Sequence, residues 1–190
     1  GLALNDYAQV KEERAYVKSY SLRLEMDPIE VPIVLPNVLF DLAKWDLREE
    51  SKVALDTVYS ILQRNPTITI GLRSHTDYSD TDVRNNELSQ KRAQSCVDYL
   101  IQKGIPTDRL TAVGMGEKEP FVISSDYKGY GADKFKAGDN LTESFIRRLS
   151  KEDQDVANQI NRRTDFKVLS DDYVPSTTLA DGESSDGGAA

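Results

Sequence analysis

The chain has 190 residues, a net charge of −8 and 38% hydrophobic residues, enough for one domain with extensions or two small ones, and it reads as soluble. The acidic balance argues against nucleic-acid binding, because a phosphate backbone calls for a basic surface. No run approaches the ~18–20 apolar residues needed to cross a bilayer as a helix, and no signal peptide is visible. The start, Gly1-Leu2-Ala3, lacks an initiator Met. An excised part of a longer protein is therefore expected, and missing targeting signals say little about localisation.

Residues 1–15 are polar and charged, a helix or a loose lead-in. Val17 to Met26 alternates Tyr20, Leu22, Leu24 and Met26 against Ser19, Ser21, Arg23 and Glu25, which predicts a strand. Pro28 and Pro32 suit an edge strand or extended connector over Ile29 to Leu35. Asn37-Val38-Leu39-Phe40-Asp41 predicts a short strand ending in a carboxylate. Asp46-Leu47-Arg48-Glu49 has the form of a capping box with Asp46 as the cap. Leu47, Ala54, Leu55, Val58, Ile61 and Leu62 then give a helical stripe, which Asn65-Pro66 ends.

Thr67 to Leu72 alternates as a strand, with Ile68, Ile70 and Leu72 on one face. A polar loop follows, and Ala93, Cys96, Val97, Leu100 and Ile101 mark a helix with one buried face. Gly104 is placed for a left-handed cap of that helix. Ile105 to Arg109 reads as a turn and Leu110 to Gly114 as a strand. Residues 117–140 read as an irregular insertion, followed by a short helix within Leu141 to Leu149. Ser150 and Asp153 cap a further helix carrying Val156, Ala157 and Ile160 on one face. Asp165 to Leu169 is the last strand, and the small, acidic tail from Ser176 to Ala190 is expected to be disordered. The order β-α-β-α-β, insertion, β predicts an α+β fold, a small mixed sheet with helices packed on one face.

These residues resemble a known family, the C-terminal peptidoglycan-binding domain of OmpA, shared with Pal and MotB. The resemblance rests on His75-Thr76-Asp77, on Asn85-Asn86-Glu87-Leu88-Ser89-Gln90-Lys91-Arg92-Ala93, and on Gly104-Ile105 with Arg109-Leu110. It continues through Gly114-Met115-Gly116-Glu117-Lys118-Glu119-Pro120 and the closing Asn161-Arg162-Arg163. It covers about residues 37–123 and 158–170. Ser74, Asp80 and Arg84 depart from the common pattern, as does an insertion at about 121–157. That insertion, with Phe40-Asp41 ahead of Lys44-Trp45-Asp46-Leu47, looks like versions of the domain found in Bacteroidota lipoproteins, one of them in type IX secretion. The expected organisation is a lead-in with an extra strand over 1–33, the domain over 34–175 and a tail over 176–190.

The resemblance implies a periplasmic, non-catalytic module that anchors an outer-membrane protein or secretion complex to the cell wall, with no cofactor and no nucleic acid. Its ligand would be the peptidoglycan stem peptide, held by diaminopimelate, whose side-chain end carries an ammonium and a carboxylate. Asp77 would take the ammonium and Arg92 the carboxylate, bidentate, as lysine cannot. Leu88, one turn before Arg92, would pack on the aliphatic stem. By the same resemblance Phe40, Asp41, Thr76 and Tyr78 complete the pocket and Asn85 holds its loop. From spacing alone, a structural ion pair of Asp77 and Arg92 is the favoured reading, which the resemblance reverses, and a docking module with a decayed peptidoglycan site is the alternative.

His75, the sole histidine, is expected to hydrogen-bond the backbone beside the loop, since one His and one Cys do not make a zinc site. No Gly-x-Ser-x-Gly accompanies it to suggest a hydrolase. Asp77, Asp80 and Asp82 lack the Gly and closing Glu of an EF-hand loop, so no metal is expected. Cys96 is expected to be a small buried hydrophobe. Tyr127, Tyr130 and Phe135 suit either a partner contact or a staple holding the insertion to its own domain.

Overall fold

The computed structural model describes residues 32–35, 38, 40 and 44–175. The strand expected over Val17 to Met26, most of that over 37–41, and the tail from Ser176 lie outside the described residues. Val38 and Phe40, which are described, are not in a strand.

The described sheet has four strands: β1 (Ile33–Val34), β2 (Thr69–His75), β3 (Leu110–Gly116) and β4 (Thr164–Ser170), in the order β1-β4-β2-β3. β2 and β3 are parallel, with Ile70 opposite Leu110. β4 runs antiparallel to β2, with Leu72 opposite Phe166, and β1 runs antiparallel to β4. The parallel pair needs a long crossover. It is supplied by α2 (Asp82–Gln102), while α1 (Glu49–Arg64) precedes β2.

Alternation puts Ile70, Leu72 and Phe166 on one face of the sheet, all 2% exposed or less. They pack with Leu55, Val58 and Leu62 of α1 and Cys96, Val97 and Leu100 of α2. Both helices therefore cover the same face. Cys96 behaves as the expected buried hydrophobe, and burial pushes its thiol up to about 12.

Local signals place most helix ends. Ser150 accepts the Asp153 N–H at the start of α4 (Lys151–Asn161). At the end of α2, Gly104 takes φ +100°. Its N–H donates to the Ile101 carbonyl, and the Ile105 N–H donates to the Leu100 carbonyl. Ile105 and Leu100 are both in the core, the apolar contact of a Schellman end.

The capping box at Asp46 does not form. α1 starts at Glu49 after Arg48, with no side-chain cap. Tertiary contacts hold the preceding residues extended: the Lys44 carbonyl accepts a hydrogen bond from Arg92, and the Trp45 ring lies beneath Lys91. Leu47 still packs against the core from outside the helix. α2 also begins earlier than its apolar stripe, because Thr81 caps it and places Asn85 inside the first turn.

The stretch that reads as an insertion builds a second core. Ile123, Phe135 and Leu141, with Ile146 of α3 (Glu143–Ile146), bury against Val156, Ala157 and Ile160 of α4. Phe135 is buried and Tyr127 packs beside it, so these two staple the insertion, whereas Tyr130 is 64% exposed. Asn161 closes the segment at both ends, accepting the Phe121 N–H at 2.9 Å and donating to the Leu141 carbonyl at 2.8 Å.

Candidate functional site

β2 ends at His75, and the chain turns through Thr76 and Asp77 into the loop before α2. The Thr76 N–H donates to the Gly116 carbonyl at 2.9 Å, and the Thr76 Oγ1 is buried without a hydrogen-bond partner. Asp77 is 7% exposed. Its Oδ1 accepts the Ser79 N–H at 2.9 Å, and its Oδ2 pairs with Arg162 at the end of α4. Asn85 spans the loop, donating to the Asp77 carbonyl at 3.0 Å and to Glu117 Oε2 at 2.7 Å.

Arg92 projects from the third turn of α2 and is 6% exposed. Its Nε donates to the Lys44 carbonyl at 2.9 Å, and its guanidinium lies 5.0 Å from the centre of the Phe40 ring. Arg92 and Phe40 line a cavity of about 50 Å³ together with Ser74, His75, Gln159, Arg162 and Arg163. Burial pushes the Arg92 guanidinium below its ordinary range, the charge of Arg162 adds to that, and Asp77 opposes it. The three charges are thus within electrostatic reach of one another.

Among the expected site residues, Arg92 and Phe40 share the cavity, and Asp77 adjoins it through Arg162. Leu88 is partly buried one turn earlier on α2. Tyr78 packs against the second core, with Arg147, the residue after α3, over its ring at 5.3 Å. Asp41 lies outside the described residues. Arg162 and Arg163 belong to the cavity although sequence reasoning gave them no role. Their signal was the Asn161-Arg162-Arg163 run, but nothing local connects it to a loop 85 positions away.

His75 does not bond the backbone through its ring as expected. Its Nε2–H donates to Asp165 Oδ2 at 2.9 Å, since the partner comes from the neighbouring strand β4. Asp165 also receives Arg73 Nε at 2.7 Å, and Arg163 Nε lies 3.6 Å away. His75 Nδ1 is buried without a hydrogen-bond partner.

Burial pushes His75 below its ordinary 6.5, assisted by the charges of Arg163 and Arg73 and opposed by Asp165. Between the two values the unfolded chain binds more protons, so stability rises with pH. The contribution is complete above about 6.5 and is lost as pH falls from there toward the folded value. The melting temperature should decline from pH 7 to pH 5. His75→Gln should flatten that decline, because the chain has no other histidine; an unchanged slope would show that His75 is not responsible. Among the described residues no three His, Cys, Asp or Glu side chains cluster to hold a metal ion.

Outer membrane protein A of Citrobacter freundii is 45% identical over 89 residues, covering 44% of this chain and 36% of that protein. Outer membrane protein A of Serratia odorifera is 40% identical over 103 residues, covering 52% and 41%. The match thus spans about two fifths or less of these relatives' length. The fold is like that of a MotB-like protein from Desulfovibrio vulgaris, with a TM-score of 0.50 at 21% identity over 75% of this chain and 73% of that one. The OmpA family model matches residues 39–141, the stretch that runs from the cavity wall through both site elements into the insertion, and the chain belongs to the OmpA family.

Proposed function

We propose that this chain is a non-catalytic module that binds peptidoglycan through the diaminopimelate of its stem peptide. It would act in the periplasm and tie an outer-membrane protein or secretion complex to the cell wall. Family membership supports the general reading. The observation that carries the finer one is Arg92, a nearly buried guanidinium in the wall of a small cavity, with the carboxylate of Asp77 within electrostatic reach. A zwitterionic ligand end requires one fixed cation and one fixed anion close together, and a guanidinium can grip its carboxylate bidentately. Phe40 against Arg92 adds an apolar wall for a methylene stem. A single small site implies modest affinity, raised in the cell by many copies in one assembly.

Calorimetric titration with a diaminopimelate-containing muropeptide tests the reading. The parent is expected to bind, and Asp77→Ala and Arg92→Ala to weaken binding at least about tenfold while melting cooperatively. Arg92→Lys should also weaken it, because an ammonium cannot replace the bidentate fork. A well-folded parent that gives no heat and does not retain cell-wall fragments would reject the reading and favour a protein-docking module. Recovery of cleaved muropeptide would reject the non-catalytic part.

A further inference from the structure

The carboxylate assigned to the ligand's ammonium already carries a cation. Asp77 Oδ1 holds the Ser79 N–H, and Oδ2 holds Arg162. The same guanidinium donates from Nη2 to Gln159 Oε1 at 2.7 Å. Arg162, Gln159 and Arg92 line one cavity. The Arg162 side chain is 37% exposed and the Asp77 side chain 9%. The carboxylate is therefore fixed, while the guanidinium has room to move. A ligand ammonium that takes Asp77 Oδ2 as its counter-ion competes there with Arg162. The displaced guanidinium stays tethered beside Arg92, where a carboxylate on the same ligand carbon would be the nearest new anion.

We infer that Arg162 is a specificity-determining residue that makes the site select a zwitterion by exchange of cations. The ligand ammonium replaces Arg162 at Asp77, and Arg162 closes on the ligand carboxylate alongside Arg92. This rests on the peptidoglycan reading. For a zwitterion, one ion pair is broken, Arg162 with Asp77, and three are made: ammonium with Asp77, and carboxylate with Arg92 and with Arg162. For the same ligand with that carboxylate as a carboxamide, one is broken and one made, and Arg162 is left without an anion, which is costly in a partly desolvated site. Selectivity then comes from a penalty on the wrong ligand as well as from contacts to the right one.

The test measures two ligands on two proteins. The ligands are a tripeptide stem ending in diaminopimelate and the same stem amidated at the side-chain carboxylate. The proteins are the parent and Arg162→Gln. The parent should prefer the free acid by about tenfold or more. Arg162→Gln removes one broken and one made pair for the free acid, which should bind with near-parental affinity, while the amide should bind several-fold more tightly, so that the parent's preference collapses. A preference that Arg162→Gln leaves intact overturns the exchange while leaving the peptidoglycan reading in place. If the parent binds neither stem, that reading fails and the exchange fails with it. Should Arg162→Gln not fold, the Arg162 Nε–H resonance of the parent decides: it should move on saturation with the free acid, and an unmoved resonance overturns the exchange.

Discussion

Asp165→Asn is expected to lower the unfolding free energy by about 3–5 kcal/mol, the cost of removing one partner from a buried ionic cluster. Asp165 is the second residue of β4 and is 1% exposed. Two basic side chains bond it directly, Arg73 through Nε at 2.7 Å and His75 through Nε2 at 2.9 Å. Burial alone would push its carboxyl up, but the hydrogen bonds from His75 and Arg73 outweigh this and hold it below its ordinary value. The asparagine keeps the volume, so the loss reports charge and hydrogen bonding rather than a cavity. Arg73 retains Glu119 at 2.9 Å. Arg163 loses its nearby carboxylate, and burial already pushes its guanidinium down to about 10. Urea unfolding measures the change, and a loss under about 1 kcal/mol would mean that the cluster is effectively solvated. Arg163 and His75 also line the cavity, so the variant should weaken ligand binding as well as stability.

Gly114→Val is expected to cost about 2–3 kcal/mol, the upper range for overpacking. β3 is an edge strand of the described sheet, and α2 lies against it. An open edge leaves backbone donors and acceptors without partners. Here Gln90 supplies them: its Nε2 donates to the Ala112 carbonyl at 3.1 Å, and its Oε1 accepts the Gly114 N–H at 2.7 Å. Ser89 Oγ accepts the Gly116 N–H at 2.9 Å. This approach is so close that a Cβ on Gly114 would meet the Gln90 backbone nitrogen at 2.5 Å. The helix would have to move away, carrying Arg92 two residues further along with it. Gly71→Ala is the control, since a Cβ there meets only the Leu169 side chain at 3.4 Å. Thermal and urea unfolding of the pair check the contrast, and equal stabilities would show that α2 yields without cost.

The effect on the site separates strain from simple destabilisation. If α2 shifts, Gly114→Val should bind ligand more weakly than the parent even at temperatures where both are fully folded. Unchanged affinity would place the strain elsewhere, in a bent β3.

What the sequence by itself determined are the features whose cause lies within about four residues of their effect. A strand ahead of the loop follows from the alternation of Thr67 to Leu72, although β2 runs Thr69–His75 and so takes in Ser74 and His75, which read as loop in the sequence. The end of α2 follows from Gly104 and an apolar Ile105, and the start of α4 from Ser150 and Asp153. The family motifs were legible too, because they recur in order along the chain. The tertiary structure decided what depends on partners far apart in sequence. Asp46 has the residues of a cap, yet Arg92, 46 positions on, binds the Lys44 carbonyl and keeps that stretch extended. The ring of His75 turns to Asp165 because β2 and β4 are neighbours. Asp77 and Arg92 were visible as an acid and a base at a suitable spacing, but Arg162, the cation seated on that acid, enters only when α4 folds back across the insertion. A side chain's nearest neighbours within the chain follow from helix and strand periodicity. Which distant charge it meets follows from how the packed elements close on one another.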